Sequence, residues 1–125
     1  MTPQPVRRLV PFAHVASVPA SIAFYETLGF ALQNSVAPEG TAEPNWAWLE
    51  GAHGAALMLA KADEPVVAAQ QAVLFYLYVD DVPAKHAELT AAGVAAGEIR
   101  YEFYAPRGEF RVADPDGYVL MITHT

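Results

Sequence analysis

An internal repeat constrains this chain more than any other feature of its sequence. Residues 17–30 read SVPASIAFYETLGF and residues 81–94 read DVPAKHAELTAAGV, so a Val-Pro-Ala tripeptide and a later glycine return at a constant offset of 64 residues. Two such copies fill a chain of 125 residues, which excludes a solenoid built from many repeats. The repeat therefore predicts two half-domains of similar structure, with a function where the halves meet.

The composition predicts a compact domain and excludes several classes of function. Hydrophobic residues make up 54% of the chain and charged residues 17%, which is typical of a globular domain with a proper core. The net charge of −7 argues against a nucleic-acid partner, because neutralising phosphates requires a basic face. The chain has no cysteine, so disulfides and Cys-ligated metals are excluded.

The N-terminal sequence MTPQPVRRLV has neither a long apolar run nor a cleavage site of small residues. We therefore expect no signal peptide. No stretch of the sequence reaches the length needed to span a bilayer. The expected location is cytoplasmic, with no membrane partner.

The pattern of apolar residues and stop signals over residues 6–61 predicts one βαβββ module. A strand over residues 6–15 leads to Ser17, a favourable helix N-cap, and Pro19 falls in the first turn, where its missing N–H costs no hydrogen bond. The helix is expected to end at Gly29, because glycine readily adopts the left-handed conformation that closes a helix. Three further strands are predicted at residues 30–36, 45–50 and 55–61, the last two joined by a hairpin.

Residues 72–123 repeat this order and predict a second βαβββ module. A strand over residues 72–79 precedes Asp81, the expected N-cap of a helix that stops at Gly93. One such module leaves a sheet face uncovered, so two are expected to pair within a single domain of residues 1–125. Further strands are predicted within residues 97–104, at 109–113 and at 118–123, the last two flanking the turn Asp114-Pro115-Asp116-Gly117.

Three motifs carry a resemblance to a known family. They are FYETLGF at residues 24–30, FYLYVDDVPA at residues 75–84 and GEFRVADPDGYVLMI at residues 108–122. In this order and spacing they make the chain similar to the vicinal oxygen chelate superfamily, which groups glyoxalase I, bleomycin-resistance proteins and extradiol dioxygenases. The resemblance implies an α+β fold in which two βαβββ modules form a curved, partly open mixed sheet. It is less informative about activity, because the fold hosts both enzymes and non-catalytic drug binders.

The resemblance also implies four positions at which the enzymes hold a divalent metal through His, Glu or Gln. In this sequence those positions are Val10, Met58, Leu74 and Met121. Valine and leucine have no donor atom, and thioether sulfur is too soft for Mg²⁺, Mn²⁺ or Fe²⁺. The expectation is a protein without a cofactor, similar to the metal-free, bleomycin-resistance-like branch, whose opening segment resembles VPFAHVASVPA at residues 10–20.

Strand alternation predicts which side chains surround a ligand, because residues two apart on a strand share a face. Aromatic and thioether side chains with a few polar groups suit a small hydrophobic, aromatic or cationic molecule. The hypothesis is a metal-free ligand-binding protein, with antibiotic sequestration and resistance implied by the resemblance. The predicted ligand-binding residues are Phe12, His14, Trp46, Trp48, Met58, Tyr76, Tyr78, Glu109, Arg111 and Met121.

Several of these residues have a purely structural alternative. The two tyrosines could be core residues, and the two methionines could fill gaps in the core. Trp46 and Trp48 could lie in the interface of the homodimer that the family implies, rather than in a pocket. Glu109 and Arg111 could form an ordinary surface ion pair.

A second hypothesis is an enzyme of the same superfamily, of the lyase, isomerase or dioxygenase type. It would use a relocated metal or acid–base site at His14, with Glu50, Glu102 or Glu109 nearby, or Tyr76 and Arg111 as partners. The other histidines are weaker candidates for such a site. His53 is expected in a hairpin loop, His86 on a solvated helix face and His124 near a frayed end. A third hypothesis is a subunit of a larger assembly or a regulatory domain, whose aromatic face binds another protein.

Overall fold

The structure, a computed structural model, describes residues 2–124 and divides into two compact units between Glu64 and Pro65. Both units contain a strand, a helix and three further strands, which confirms the predicted α+β class with two βαβββ modules. Unit 1 contains β1 (Phe12–Val15), α1 (Val18–Thr27), β2 (Ala31–Val36), β3 (Trp46–Glu50) and β4 (Ala56–Lys61). Unit 2 contains β5 (Leu74–Tyr78), α2 (Val82–Ala91), β6 (Arg100–Glu102), β7 (Ala105–Ala113) and β8 (Val119–Thr123), preceded by one 3₁₀ turn at Ala68–Gln70.

The two sheets have the same strand order and the same mixture of directions. In unit 1 the order is β1-β4-β3-β2, and in unit 2 it is β5-β8-β7-β6. The first pair in each sheet is parallel and the others are antiparallel. The register repeats as well, because Phe12 opposes Met58 in unit 1 and Tyr76 opposes Met121 in unit 2. The sequence repeat is thus also a repeat of strand register.

Both helices begin and end as the repeat predicts. The Ser17 hydroxyl accepts a hydrogen bond from the Ala20 backbone N–H at 3.2 Å, and the Asp81 carboxylate accepts one from the Ala84 N–H at 3.0 Å. These bonds satisfy N–H groups that have no partner inside the helix. At the other end, Gly29 has φ +106° and closes the helix in a conformation that residues with a Cβ rarely adopt.

Strand alternation places a core on the helix side of each sheet. In β3, Ala47 and Leu49 are fully buried, whereas the residues between and beside them are partly exposed. In β7, Phe110 and Val112 are buried in the same way, and α2 contacts that strand. Burial of such side chains is the main stabilising term in each unit.

The first strand is shorter than the predicted one. Strand β1 begins at Phe12, and residues 2–9 are exposed. In the register that pairs Phe12 with Met58, residue 10 would oppose Ala56, the first residue of β4. Residues 6–9 would therefore extend past the end of their partner strand, where no ladder is available. Pro11 also lacks an N–H, and only its carbonyl contributes, accepting from the Met58 N–H at 2.9 Å.

The longest strand of unit 2 is β7, which pairs with both β6 and β8. Strand β7 starts at Ala105, four residues before its predicted start at residue 109, because β6 pairs with its first half.

Within residues 2–124, no helix is both long and apolar enough to cross a membrane. The assignment of the two units to a single domain stays a prediction.

Candidate functional site

Each sheet has one face that carries its helix and one face that does not, here called the open face. The register shows which side chains share the open face of unit 1, because directly opposed residues point the same way. Phe12, Met58 and Trp48 oppose one another across β1, β4 and β3. His14, Ala60 and Trp46 form the next row. Four predicted aromatic or imidazole site residues of unit 1 therefore lie on one face, as the alternation requires.

Phe12 and His14 form the exposed edge of this face. Phe12 is 48% exposed, and its ring meets the His14 imidazole edge-on, with centroids 5.2 Å apart. A half-exposed phenylalanine on a sheet offers apolar area to a ligand or a partner, since its burial would remove that area from water. Met58 lies between Phe12 and Trp48 and is partly buried.

Trp48 has polar contacts that alternation alone does not predict. Its indole N–H donates a hydrogen bond to Oε2 of Glu50 at 2.6 Å. The Arg8 guanidinium lies over the Trp48 ring, 5.3 Å from the ring centroid, and also donates to the Gly54 carbonyl oxygen at 3.0 Å. Arg8 comes from the exposed segment before β1, so this segment reaches the open face of unit 1.

The open face of unit 2 carries two stacked tyrosines. Tyr76 is 48% exposed and Tyr78 is 61% exposed, so the alternative that makes them core residues is wrong. Their rings stack with centroids 6.3 Å apart and an interplanar angle of 28°. Met121 lies between Tyr76 and Arg111 in the register, and Arg111 is exposed. The two methionines thus occupy equivalent places in the two sheets.

Glu109 is not part of a surface ion pair, and that alternative is wrong. Its side chain is only 5% exposed, and its Oε1 accepts a hydrogen bond from the Tyr104 hydroxyl at 2.9 Å. Arg111, two residues along β7, is exposed. A buried carboxylate needs such a partner, because burial without hydrogen bonds is costly.

The contact with Glu109 changes the acidity of Tyr104. The hydrogen bond to Glu109 is the largest cause that raises the pKa of the Tyr104 hydroxyl above its usual value of about 10, followed by partial burial and by the negative charge of that carboxylate. Losing the Tyr104 proton would place a phenolate beside a carboxylate. The contact therefore stabilises the folded chain below the usual tyrosine pKa, and this stabilisation is lost as pH rises through the raised value.

Replacing Glu109 with glutamine is expected to lower the pKa of Tyr104 part of the way towards its usual value, because the amide oxygen is a weaker hydrogen-bond acceptor than the carboxylate and carries no negative charge. Carbon NMR of the labelled Tyr104 ring during a pH titration measures this shift directly. The matched control is Glu88→Gln, which removes the charge of a carboxylate that pairs with Lys85 on α2 and should leave the titration curve of Tyr104 unchanged. A Tyr104 titration curve that does not move in the Glu109→Gln variant would contradict the assignment.

Two histidines are placed differently from the expectation. His124 is only 8% exposed, and its Nε2 accepts a hydrogen bond from the Arg107 backbone N–H at 2.9 Å, so the prediction of a frayed end is wrong. His86 lies within hydrogen-bonding distance of the Gly97 carbonyl oxygen, with its Nε2 at 2.9 Å, and meets Phe110 edge-on. Its predicted solvated position is therefore also wrong. Both histidines have structural contacts within unit 2.

The fold and the sequence together place the chain in a family. The profile described as Glyoxalase/Bleomycin resistance protein/Dioxygenase superfamily matches residues 10–122. The chain belongs to this superfamily. A comparison with curated protein sequences finds no match.

Solved structures of this superfamily share the fold. A bleomycin-binding protein complexed with bleomycin matches with a TM-score of 0.76 at 16% identity, covering 96% of this chain and 99% of that chain. The bleomycin resistance determinant encoded on the transposon Tn5 matches with a TM-score of 0.77, also at 16% identity, covering 96% and 98%. An antibiotic binding protein from Streptomyces sp. CB03234 matches with a TM-score of 0.75 at 23% identity, covering 99% and 98%. At these identities the likeness concerns the fold alone.

The residues at the four positions where the resemblance implies metal ligands do not have the chemistry of a divalent metal site. Met58 and Met121 offer only soft thioether sulfur, and Val10 and Leu74 offer no donor atom at all. Leu74, the first residue of β5, is 51% exposed and presents only hydrocarbon there. Among residues 2–124, no three His, Asp or Glu side chains are grouped so that they could hold a metal ion.

Sequence reasoning missed two residues of the site, Arg8 and Tyr104. Arg8 lies in a segment predicted to be a strand, and nothing in its spacing indicates a contact with a tryptophan 40 positions later. Tyr104 lies at the turn between β6 and β7, where a register shift interrupts the regular alternation. Both contacts join residues that no periodic pattern relates.

Proposed function

We propose that this protein binds a small hydrophobic, aromatic or cationic organic molecule without a metal ion. The observation that carries the proposal is that methionine occupies two of the positions where the resemblance implies metal ligands. Each of these methionines lies next to aromatic side chains on an open face. Met58 lies between Phe12 and Trp48 on the open face of unit 1. Met121 lies beside Tyr76 on the open face of unit 2. Thioether and aromatic side chains offer a polarisable apolar surface and no Lewis acid.

The exposed rings favour a flat ligand. Tyr76 and Tyr78 already stack on each other and leave about half of their surface in water. A planar aromatic molecule that covers them would remove this apolar area from water and gain ring contacts. The net charge of −7 would favour a cationic ligand and speed its capture.

Antibiotic sequestration is the biological role that this proposal includes. Two of the proteins that share the fold are a bleomycin-binding protein and a bleomycin resistance determinant, and a third is an antibiotic binding protein. Sequestration needs affinity and no chemistry, which agrees with an aliphatic and thioether set at the metal positions. A homodimer and a cytoplasmic location are parts of the same proposal and rest on the resemblance and on the composition.

The enzyme hypothesis has less support. A relocated metal at His14 would need at least two more ligands of suitable type near it, and no group of three such side chains exists among residues 2–124. Tyr76 and Arg111 do share a face, on either side of Met121. No contact of either residue favours a particular acid–base reaction.

The double variant Tyr76→Ala/Tyr78→Ala is expected to lower the affinity for a bound aromatic ligand about ten- to a hundredfold, because two ring contacts and their buried area are lost. Bleomycin and acridine are suitable first ligands, detected by the increase in melting temperature and quantified by titration calorimetry. The matched control is Phe103→Ala, which removes an aromatic ring that is 95% exposed at the β6–β7 turn.

The same titrations with protein treated with a strong chelator test the metal-free part of the proposal. Affinity should be unchanged by the chelator, and elemental analysis of untreated protein should find no stoichiometric Mn, Fe, Ni or Zn. A ligand whose binding disappears with the metal would contradict the proposal. An affinity that is the same in the double variant and in the native chain would show that the tyrosines do not form the site.

A further inference from the structure

The open face of unit 1 already holds a cation supplied by the chain itself. The Arg8 guanidinium lies 5.3 Å from the centroid of the Trp48 ring, within the distance at which a cation is attracted to the face of an indole. Arg8 also donates to the Gly54 carbonyl oxygen at 3.0 Å. The segment that carries Arg8, residues 2–9, is exposed and precedes the first strand.

The surroundings of Trp48 increase the attraction between its indole ring and a positive charge. Its indole N–H donates to Oε2 of Glu50 at only 2.6 Å, the short distance typical of a hydrogen bond to a charged acceptor. A carboxylate at the N–H edge increases the electron density of the ring, which strengthens the attraction between the ring face and a cation. Glu50 adds a negative charge beside the ring. An aromatic face with an adjacent carboxylate is a combination that recognises organic cations.

We propose that Trp48 and Glu50 form a subsite for the cationic group of a ligand, and that Arg8 is an internal occupant that the ligand displaces. This inference rests on the proposed function and specifies one part of it. The ligand class is an aromatic molecule that carries a permanent or protonated positive charge. Arg8 then sets a threshold, because a ligand without a cation loses the Arg8 contact and offers no replacement for it.

The row of side chains that contains Trp48 explains how one ligand can place both its ring system and its positive charge on the open face of unit 1. Phe12, Met58 and Trp48 stand on three adjacent strands. Strands in a sheet lie about 4.8 Å apart, so the row extends over roughly 10 Å. That length accommodates a ring system of two or three fused rings, with its charged end over Trp48.

The contact that Arg8 makes is weak enough to be displaced. Arg8 is exposed, and its hydrogen bond to the Gly54 carbonyl is exposed too. Exposed cation–π contacts change an equilibrium by about two- to fivefold. Removing Arg8 should therefore raise the affinity for a cationic ligand by this factor, since the ligand no longer competes with it.

The experiment compares a cation with its neutral analogue. N-methylacridinium is a permanent cation, and acridine has the same ring system and is uncharged at mildly alkaline pH. Calorimetric titrations of both probes are carried out with the native chain, with Arg8→Gln and with Arg7→Gln. Arg7 is an exposed neighbour, and its substitution changes the net charge by the same amount. Arg8→Gln is expected to raise the N-methylacridinium affinity two- to fivefold, because the competing guanidinium is gone, whereas Arg7→Gln should leave this affinity unchanged. Acridine should gain no more than the same factor from Arg8→Gln, so N-methylacridinium stays the preferred probe in both proteins.

Two further variants test the subsite itself. Glu50→Gln should lower the affinity for N-methylacridinium and leave that for acridine almost unchanged, because the amide oxygen can still accept the indole hydrogen bond. In a Trp48→Leu background, Arg8→Gln should have no effect on either probe, since there is no ring left to compete for. Melting temperatures of all variants establish that each one is folded.

The outcomes separate this inference from the proposed function. Equal effects of Arg8→Gln and Arg7→Gln, an effect of Arg8→Gln that persists without Trp48, or no binding of N-methylacridinium to the Arg8→Gln variant would each overturn the subsite. If acridine or bleomycin still binds in a manner that depends on Tyr76 and Tyr78, the proposed function stands while the subsite is wrong. If none of the three molecules binds any of these proteins, both are wrong.

Discussion

Replacing Phe110 with alanine is expected to lower the free energy of unfolding by about 3–5 kcal/mol. Phe110 is 2% exposed on the helix side of β7. Its ring meets the His86 imidazole edge-on, and the two ring centroids are 4.9 Å apart. Alanine leaves a cavity that the surrounding strands cannot fill, so both the transfer free energy and the lost packing contribute. Urea-induced unfolding followed by circular dichroism measures the difference.

Phe103 provides the control for this prediction within the same unit. It is 95% exposed, so Phe103→Ala should change the free energy of unfolding by less than about 0.5 kcal/mol. The two variants remove the same side chain and differ only in where that side chain lies. A cost for Phe110→Ala no larger than that for Phe103→Ala would show that β7 does not carry the core of unit 2.

Replacing Gly117 with alanine is expected to cost about 2–5 kcal/mol of stability. Gly117 has φ +85°, and a Cβ at this position would lie 2.4 Å from the Cβ of Ala68 and 2.7 Å from its Cα. The turn cannot easily move away, because Oδ1 of Asp114 accepts hydrogen bonds from the N–H groups of both Asp116 and Tyr118 at 2.9 Å. The backbone strain and the steric clash therefore both contribute to the loss of stability in Gly117→Ala.

Gly54 separates these two costs. It has the same φ of +85°, but a Cβ built on it would meet no atom within 4 Å. Gly54→Ala should therefore cost only the backbone strain, about 1–2 kcal/mol. The difference between the two alanine variants in thermal or urea unfolding measures the clash with Ala68. Equal costs would mean that the 3₁₀ turn at Ala68–Gln70 yields without penalty.

The repeat explains why so much of the fold could be predicted. Ser17 and Asp81 cap their helices with the same hydrogen bond to the backbone three residues on, and Gly29 ends the first helix as expected. Caps, stop signals and period-two strands are local, so they are written in neighbouring residues. The start of β1 could not be predicted in this way, because it depends on where the partner strand β4 begins.

The candidate site could be predicted only in part, for a related reason. Alternation correctly places Phe12 beside Met58 and Tyr76 beside Met121, since the face of a strand residue follows from its parity. Alternation does not show whether a residue on the open face is covered by other side chains. Tyr78 and Glu109 illustrate this, because the first is 61% exposed and the second 5% exposed.

The sequence by itself determined the superfamily and the two modules, because motifs, helix caps and strand periods follow from residue identity and spacing. It also contains no oxygen or nitrogen side-chain donor at the four positions where the resemblance implies metal ligands. The tertiary structure decided which polar groups meet. Glu109 is buried against Tyr104, and Arg8 lies over Trp48 with Glu50 at the indole edge. Side-chain contacts of this kind depend on packing between distant segments, and no local pattern in the chain encodes them.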